Sequence, residues 1–373
     1  MGWIKIIFFN IFITFGLLGI LLLAPPIANL VYSLLTFNAE TDNSAQDYRP
    51  SLDLYNGIDW AQTHFNEYKN LKTKYYDYIT WRSNDFEGET INIIDGLRVS
   101  NEPNIFNSKE DDYLFFGGST TWGVGVNDEN TYPSIFAERL NTHVTNFGES
   151  SYIARQSLGL LTNFLVDNSL SNLSGKHIIF YDGVNDVAER CRSEIRGLST
   201  SREQQIQSII SLNRNKRYSF GKTFEQLTEL LHAAFRRLGL VNELSIANET
   251  YICSTDSKRA KEIAKTLVET WKVASDLVTQ RGGKFTAILQ PLAFIGSPKI
   301  DYLELTSAND IALRMQYETV YPLIRQIAAS ANIHFIDLTS VYDNCEDCYI
   351  DFCHVGPQAH QLLVERLLKS ING

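Results

Sequence analysis

The sequence predicts an α/β fold in which helices connect the strands of a parallel sheet, from about residue 111 to the carboxyl end. From residue 113 onward, short apolar runs of strand length alternate with longer amphipathic stretches. This alternation is typical of parallel strands joined by crossover helices. The chain has 373 residues, of which 44% are hydrophobic and 20% are charged. It is therefore long and apolar enough to bury a full core.

The amino-terminal residues predict a membrane anchor. No charged residue occurs from 6 to 23, and a second apolar stretch spans 27–35. This length is sufficient for a helix to cross a bilayer. A small-x-small cleavage site is not evident, so we expect residues 1–36 to be a retained anchor, with a cleaved signal peptide as the alternative. Lys5 precedes the span and the next cation is Arg49, which favours an amino end in the cytoplasm and a domain outside it.

Residues 37–110 are expected to form a linker and an extension that packs on the main domain. Tyr, Asn, Asp and Trp occur there in irregular order, and a helical period is present only at 60–68.

The main domain, predicted at 111–373, contains alternating strands and helices. Strands are predicted at 113–116, 144–147, 177–181, 284–289 and 334–338. Helices are predicted at 132–140, 154–166, 257–279 and 357–369. The stretch at about 187–255 is too long for an ordinary connection, so we expect a lid-like insertion there, with a helix at 224–238.

Three short motifs each follow the end of a predicted strand: Gly-Gly-Ser-Thr-Thr at 117–121, Asn-Phe-Gly at 146–148 and Gly-Val-Asn-Asp at 183–186. The carboxyl ends of parallel strands meet at one edge of a sheet, where ligands bind. We therefore expect Ser119, Gly148 and Asn185 to lie together. Taken alone, each motif is equally consistent with an ordinary turn or a helix cap.

An Asp-x-x-His block at 351–354 adds a candidate general base. His354 needs one ring nitrogen free to accept a proton and an acceptor for its other N–H, and Asp351 stands three residues earlier to provide it. Cys353 lies between them, but a cysteine nucleophile would need its histidine across from it rather than next to it. His360 is expected to be structural or exposed. Three acidic residues near the predicted site are expected to be solvated or to support it: Glu149, Asp182 and Asp186.

In this order the motifs resemble the SGNH (GDSL-type) hydrolase superfamily, whose name gives Ser, Gly, Asn and His in chain order. The resemblance implies a three-layer α/β/α domain with a flavodoxin-like sheet of five parallel strands. It also implies a catalytic triad of Ser119, His354 and Asp351. The oxyanion hole would comprise the N–H groups of Ser119 and Gly148 and the side-chain amide of Asn185.

The resemblance of the catalytic motifs covers about residues 111–373. Two details of the sequence look like the membrane-anchored bacterial members in particular. Gly-Ser-Thr at 118–120 replaces the Gly-Asp-Ser-Leu form, as in those members. An Asn-x-x-x-Gly-x-Arg pattern at 92–98 looks like a segment found ahead of their catalytic block. Arg98 of this pattern is equally well explained as a structural arginine.

Composition disfavours a nucleic-acid partner, because the formal net charge is -10 and the pI is about 5.3. The basic run at 214–217 is interpreted as a solvated loop. No cofactor or metal is expected. Five cysteines leave at least one thiol unpaired within the chain in an oxidising compartment. Cys345 and Cys348 have zinc-like spacing without a second pair nearby, which makes a metal site the minority interpretation. A disulfide between Cys191 and Cys253 is one pairing among several.

We therefore expect an extracytoplasmic esterase that removes acyl groups, with O-acetyl as the first choice, from a surface or exported carbohydrate. An O-acyltransferase would use the same residues, and the sequence does not decide between water and a sugar hydroxyl as acceptor. A membrane-tethered, non-catalytic glycan-binding or assembly protein on the same fold is the alternative of another class. Such a binding protein would not need all of Ser119, Asn185, Asp351 and His354, so the presence of these four residues argues against this alternative.

Overall fold

A computed structural model describes residues 47–101, 109–169, 171–195, 197, 199–206 and 250–372. The predicted anchor at 1–36, the helix at 224–238 and the basic run at 214–217 lie outside these residues. Within them, no helix is both long enough and apolar enough to span a bilayer. The described residues up to 204 and from 250 onward belong to one compact unit.

The extension contains the helix expected at 60–68 and further regular structure that was not expected. Short 3-10 turns at Arg49–Ser51 and Asp53–Tyr55 precede α1 (Ala61–Asn70), and five short strands follow it. The strands are β1 (Thr73–Tyr76), β2 (Thr80–Ser83), β3 (Phe86–Glu87), β4 (Asn92–Ile94) and β5 (Leu97–Arg98). β1 and β2 form a separate antiparallel hairpin, whereas β3, β4 and β5 pair antiparallel and extend the main sheet. Strands of two to four residues are too short to show a sequence period, so they went unpredicted.

The main sheet contains the five expected parallel strands. They are β6 (Lys109–Gly117), β7 (Thr142–Asn146), β8 (Lys176–Asp182), β9 (Lys284–Leu289) and β10 (Phe335–Asp337). Their spatial order is β7-β6-β8-β9-β10, the flavodoxin-like order 2-1-3-4-5. β5 pairs antiparallel with β7. Among the described residues the sheet therefore has eight strands and is mixed, which corrects the expectation of a purely parallel sheet of five.

Among the described residues, seven further α-helices alternate with strands β6 to β10, and 201–206 are also helical. The seven are α2 (Ser119–Trp122), α3 (Tyr132–Leu140), α4 (Ala154–Asp167), α5 (Val184–Arg190), α6 (Ser257–Thr279), α7 (Ala308–Ala328) and α8 (Pro357–Asn372). The predictions at 132–140 and 257–279 coincide with α3 and α6. α7 was not predicted. Pro322 lies inside it, and an internal proline usually indicates a helix boundary.

The strands are buried on both faces. In one core cluster, Phe115, Ile179 and Ile288 of the sheet pack with Phe136 of α3 and Leu363 of α8. The side chains that alternate with them, such as Phe116 and Phe180, are also fully buried. Phe147, directly after β7, stacks on Phe116 and contacts Phe164 of α4. Because successive strand side chains point to opposite faces, helices cover both sides of the sheet.

Candidate active site

The predicted site residues lie at the edge formed by the carboxyl ends of β6, β7 and β8. Ser119 begins α2 directly after the β6 turn, and Asn185 lies in the first turn of α5 after β8. Asn185 lies against the residue that precedes Ser119: a side chain added at Gly118 would meet Asn185 Nδ2 at 2.5 Å. Gly117 has φ +158°, and a Cβ there would lie 2.4 Å from the Tyr181 carbonyl oxygen. The tight approach of these segments therefore requires glycine at both positions.

Ser119, His354 and Asp351 form a continuous hydrogen-bonded chain. Ser119 Oγ lies 2.6 Å from His354 Nε2, and His354 Nδ1 lies 2.7 Å from Asp351 Oδ2. With the ring proton on Nδ1, that nitrogen donates to the carboxylate and Nε2 accepts from the serine hydroxyl. His354 and Asp351 retain 16% and 23% side-chain exposure. The three groups therefore lie at the surface of the unit with the geometry of a nucleophile, a base and an orienting carboxylate.

The loop between β10 and α8 fixes Asp351 through its own backbone. Asp351 Oδ1 accepts from the N–H groups of Cys353 and His354, at 2.9 and 2.8 Å. Burial by itself raises the pKa of Asp351, but the opposing interaction with His354 and these hydrogen bonds prevail. The pKa of Asp351 ends well below its ordinary value. The carboxylate is thus kept charged beside the imidazole.

Two of the three predicted oxyanion donors have N–H groups available. Among the described residues, no hydrogen bond uses the backbone N–H of Ser119, which opens α2. Asn185 Nδ2 donates to the Tyr152 carbonyl at 2.8 Å. Since an amide nitrogen carries two N–H groups, Tyr152 both orients this amide and leaves its second N–H for a ligand.

Gly148 is placed differently from the expectation. Its N–H donates to Asn146 Oδ1 at 2.9 Å, while Asn146 Nδ2 donates to the Thr121 carbonyl at 2.9 Å. A Cβ at Gly148 would lie 2.3 Å from the Trp122 nitrogen. Glycine is therefore needed here for packing against α2, and an oxyanion role for its N–H remains a prediction that requires Asn146 to release it.

The three acidic residues expected to be solvated or supporting are all buried: Glu149, Asp182 and Asp186 are 1%, 3% and 1% exposed. Glu149 accepts from the N–H and hydroxyl of Ser83, at 2.7 and 2.9 Å, which connects the β1–β2 hairpin to the loop after β7. Asp186 pairs with Arg190 at 3.1 Å, and Asp182 accepts from the Trp271 indole at 3.0 Å. Burial raises the pKa of all three carboxyls. They form the interior beneath the site.

Arg98 is a structural arginine in this fold. Its side chain is fully buried and pairs with Asp128 at 2.8 Å. It also donates to the carbonyls of Gly123 and Val126, at 2.6 and 2.7 Å, and its guanidinium lies over the Trp122 ring. These partners are in α2 and the chain that follows it. Arg98 therefore holds the segment that carries Ser119.

Sequence reasoning missed a polar link behind the nucleophile. Gln290 directly follows β9, and its Nε2 donates to Thr120 Oγ1 at 2.8 Å. The Thr120 hydroxyl in turn approaches the Cys353 carbonyl at 3.5 Å. This link joins the serine turn to the histidine loop. The rule that placed Ser119, namely position after a strand end, also applies to Gln290.

The cysteines form two disulfides, Cys191–Cys253 and Cys345–Cys348. The first is the pairing considered from the sequence. In the second, the two sulfurs with zinc-like spacing are bonded to each other. Cys353 is a buried free thiol, with Sγ 3.7 Å from His354 Nδ1.

His354, Asp351 and Cys353 are the one group of potential metal ligands found among the described residues, with ligand atoms within 4.8 Å of one another. The imidazole and the carboxylate are already hydrogen-bonded to each other. His360, expected to be structural or exposed, is buried and accepts from the Tyr132 N–H at 2.9 Å.

Comparison with known proteins gives structural similarity only. No protein-family model matches the sequence, and no curated protein matches it significantly. A member of the lipolytic G-D-S-L family from Veillonella parvula has 16% identity over 69% of this chain and 96% of its own, with a TM-score of 0.37. A carbohydrate acetylesterase family member from Sinorhizobium meliloti has 17% identity over 70% and 96%, with a TM-score of 0.35.

A catalytic mutant of Axe2, an acetylxylan esterase from Geobacillus stearothermophilus, has 14% identity over 72% of this chain and 96% of its own, with a TM-score of 0.37. All three TM-scores lie below 0.5. The chemistry of this chain is therefore argued from its own side chains.

Proposed function

We propose that this chain is a serine esterase. The observation that carries the proposal is the hydrogen-bonded chain Ser119–His354–Asp351, with distances of 2.6 and 2.7 Å. A serine hydroxyl is a weak nucleophile until an adjacent base accepts its proton, and that base works best when a third group orients it. A purely structural role would not require these three side chains to align at the surface beside the Asn185 amide.

The reaction follows from the geometry in two balanced steps. Ser119 Oγ attacks the ester carbonyl carbon while His354 Nε2 takes its proton, and the resulting oxyanion is stabilised by the Ser119 N–H and the Asn185 amide. Collapse expels the alcohol, which receives the proton from His354. Water then attacks the acyl-enzyme with His354 again as base. The bond to Ser119 Oγ breaks, His354 returns the proton to that oxygen, and the carboxylic acid leaves. Asp351 holds the ring tautomer and stabilises the imidazolium.

The proposed substrate is an O-acetyl ester of a carbohydrate at the cell surface or in export. The net charge of -10 disfavours polyanionic substrates, and a carbohydrate suits a domain outside the cytoplasm. Two sequence and structural features support that location: the uncharged stretch at 6–23 and the presence of two disulfides, which persist in oxidising compartments. We propose a single-pass anchor with the catalytic domain extracytoplasmic.

The test uses the full-length protein in detergent with a fluorophosphonate probe and a panel of 4-nitrophenyl esters and acetylated glycans. We expect the probe to label Ser119. Ser119→Ala should abolish labelling and lower kcat by a factor on the order of 10⁴ to 10⁶. The control Ser174→Ala removes an exposed serine hydroxyl in the loop before β8. This variant should retain both probe labelling and kcat.

The products distinguish the remaining functions. Free acetate identifies hydrolysis, whereas an acetylated sugar acceptor identifies O-acyl transfer by the same residues. Glycan binding without labelling or turnover would support the non-catalytic alternative. Full turnover of a verified substrate by Ser119→Ala would show that the nucleophile assignment is wrong.

A further inference from the structure

A groove of about 780 Å³ lies between the turn of the β1–β2 hairpin and the outer side of α4. The hairpin contributes Tyr75, Tyr76, Asp77 and Tyr78, and α4 contributes residues that include Asn163 and Asp167. The volume is within the range of small-molecule sites. None of the residues that line the groove belongs to the candidate active site.

The apolar part of the groove is unusually exposed. Tyr75, Tyr78 and Val166 retain 65%, 92% and 69% exposure. Single exposed apolar residues are ordinary, but three that line one groove indicate an interaction surface. Tyrosine rings offer flat apolar faces together with a polar hydroxyl. These faces suit a ligand that has both apolar C–H surfaces and hydroxyl groups.

The turn is held in a conformation that displays the Tyr78 ring. Tyr78 has φ +63°, a left-handed conformation that is costly for a bulky residue and that glycine would adopt freely. Two contacts from α4 fix this turn: Asn163 Nδ2 donates to the Asp77 carbonyl at 3.3 Å, and Gln156 Nε2 donates to the Ile79 carbonyl at 3.2 Å. Backbone strain of this kind is a reason to look for function.

The polar residues of the groove determine which ligand charges it disfavours. Asp77 and Asp167 supply carboxylates. The Thr162 hydroxyl and the Asn163 amide also line the groove, but each already donates one hydrogen bond to a backbone carbonyl. Among the described residues that line the groove, none is a lysine or an arginine. Carboxylates accept hydrogen bonds from hydroxyl groups and repel anions. The groove therefore disfavours an anionic ligand and offers hydrogen-bond acceptors to a ligand rich in hydroxyl groups.

We propose that this groove binds a neutral oligosaccharide. Its sugar rings stack on Tyr75 and Tyr78, and its hydroxyl groups donate hydrogen bonds to the carboxylates of Asp77 and Asp167. The site is independent of the proposed esterase chemistry, since it shares no residue with Ser119 or its partners. The opposite end of the hairpin contacts the loop after β7, where the Trp81 indole donates to the Ser150 carbonyl at 3.2 Å. A polysaccharide held in the groove would thus be retained on the domain that carries the candidate active site.

The test measures binding to full-length protein in detergent that carries Ser119→Ala, so that no probe is hydrolysed. The probes are xylohexaose, cellohexaose, chitohexaose and mannohexaose as neutral glycans, with hexagalacturonate as the anionic comparison. Tyr78→Gly removes the ring and suits the φ of the turn, so it is expected to fold. We expect at least one neutral hexasaccharide to bind, and Tyr78→Gly to weaken it at least tenfold.

The control Val273→Ala removes an exposed apolar side chain on α6 and should leave the affinity unchanged. Restoring Ser119 in the Tyr78→Gly protein should leave turnover of 4-nitrophenyl acetate unchanged, which separates the two sites. Absence of binding by all four neutral glycans, tighter binding of hexagalacturonate, or equal affinity in Tyr78→Gly would each overturn the proposal. A dimer in sedimentation velocity that Tyr78→Gly dissociates would identify a second copy of this chain as the occupant instead.

Discussion

His354 is hydrogen-bonded on both ring nitrogens, to Ser119 and to Asp351. We expect the loss of His354 and the loss of Asp351 to lower kcat by different factors. We expect His354→Ala to be the more damaging change, because it removes the proton acceptor of Ser119. Asp351→Asn retains the loop, since its Oδ1 can still accept from the backbone N–H groups of 353 and 354. Its amide then faces His354 Nδ1 and favours the wrong tautomer, which costs up to about 10⁴ in kcat in triad enzymes.

The measurement is kcat/KM on one confirmed ester, with thermal unfolding to verify that each variant is folded. Asp301→Asn, at an exposed position, is the matched control and should be unchanged. An Asp351→Asn enzyme as inactive as His354→Ala would contradict the ranking. An active His354→Ala enzyme would eliminate the proposed base.

At this scale the sequence predicts which residues converge but not how each one is bonded. Position after a strand end was sufficient to bring Ser119 and Asn185 together. It does not reveal that Asn146 accepts from the Gly148 N–H, because a side chain that bonds the backbone two residues on leaves no periodic signal. The catalytic roles of these residues remain predictions until variants are assayed.

Among the elements, β5 has only two residues but carries one of the most consequential side chains, Arg98. Arg98 is fully buried and bonds Asp128 and the carbonyls after α2. We expect Arg98→Ala to lower the free energy of unfolding by about 3–5 kcal/mol, since it leaves a partly buried carboxylate and several carbonyls unpaired. By loosening the segment behind Ser119, it should also lower kcat/KM by roughly 10- to 100-fold.

Denaturant unfolding and ester turnover at a temperature where the variant is folded check the two effects. Arg139→Ala is the control, because its ion pair with Glu365 is exposed at 34% and 48% and should contribute less than about 1 kcal/mol. If Arg98→Ala and Arg139→Ala lower the free energy of unfolding equally, the buried contacts of Arg98 stabilise the fold no more than an exposed ion pair does.

The helices and strands differ in whether sequence patterns are sufficient to predict them. α6 has 23 residues and a sustained apolar period, so both of its ends were predicted. β3 and β5 have two residues each. They form because β4 pairs with both of them and β7 pairs with β5, a tertiary effect that no local stretch of sequence contains. α7 lies between these cases. Its buried face is periodic, but Pro322 interrupted the pattern as read from the sequence.

At the scale of the whole molecule, the pattern of cysteine pairing tests the proposed location. Full-length protein isolated from its native envelope and denatured without reductant should alkylate at one cysteine, Cys353, and at all five after reduction. The Cys191–Cys253 bond joins residues 62 apart, and a crosslink of this length constrains the unfolded chain by about 4 kcal/mol. Reduction, or the pair Cys191→Ala and Cys253→Ala, should therefore lower the melting temperature, whereas Cys353→Ala should only remove the single labelled thiol. Five free thiols in the native protein would place the domain in a reducing compartment and overturn the extracytoplasmic location, even if Ser119 were the nucleophile.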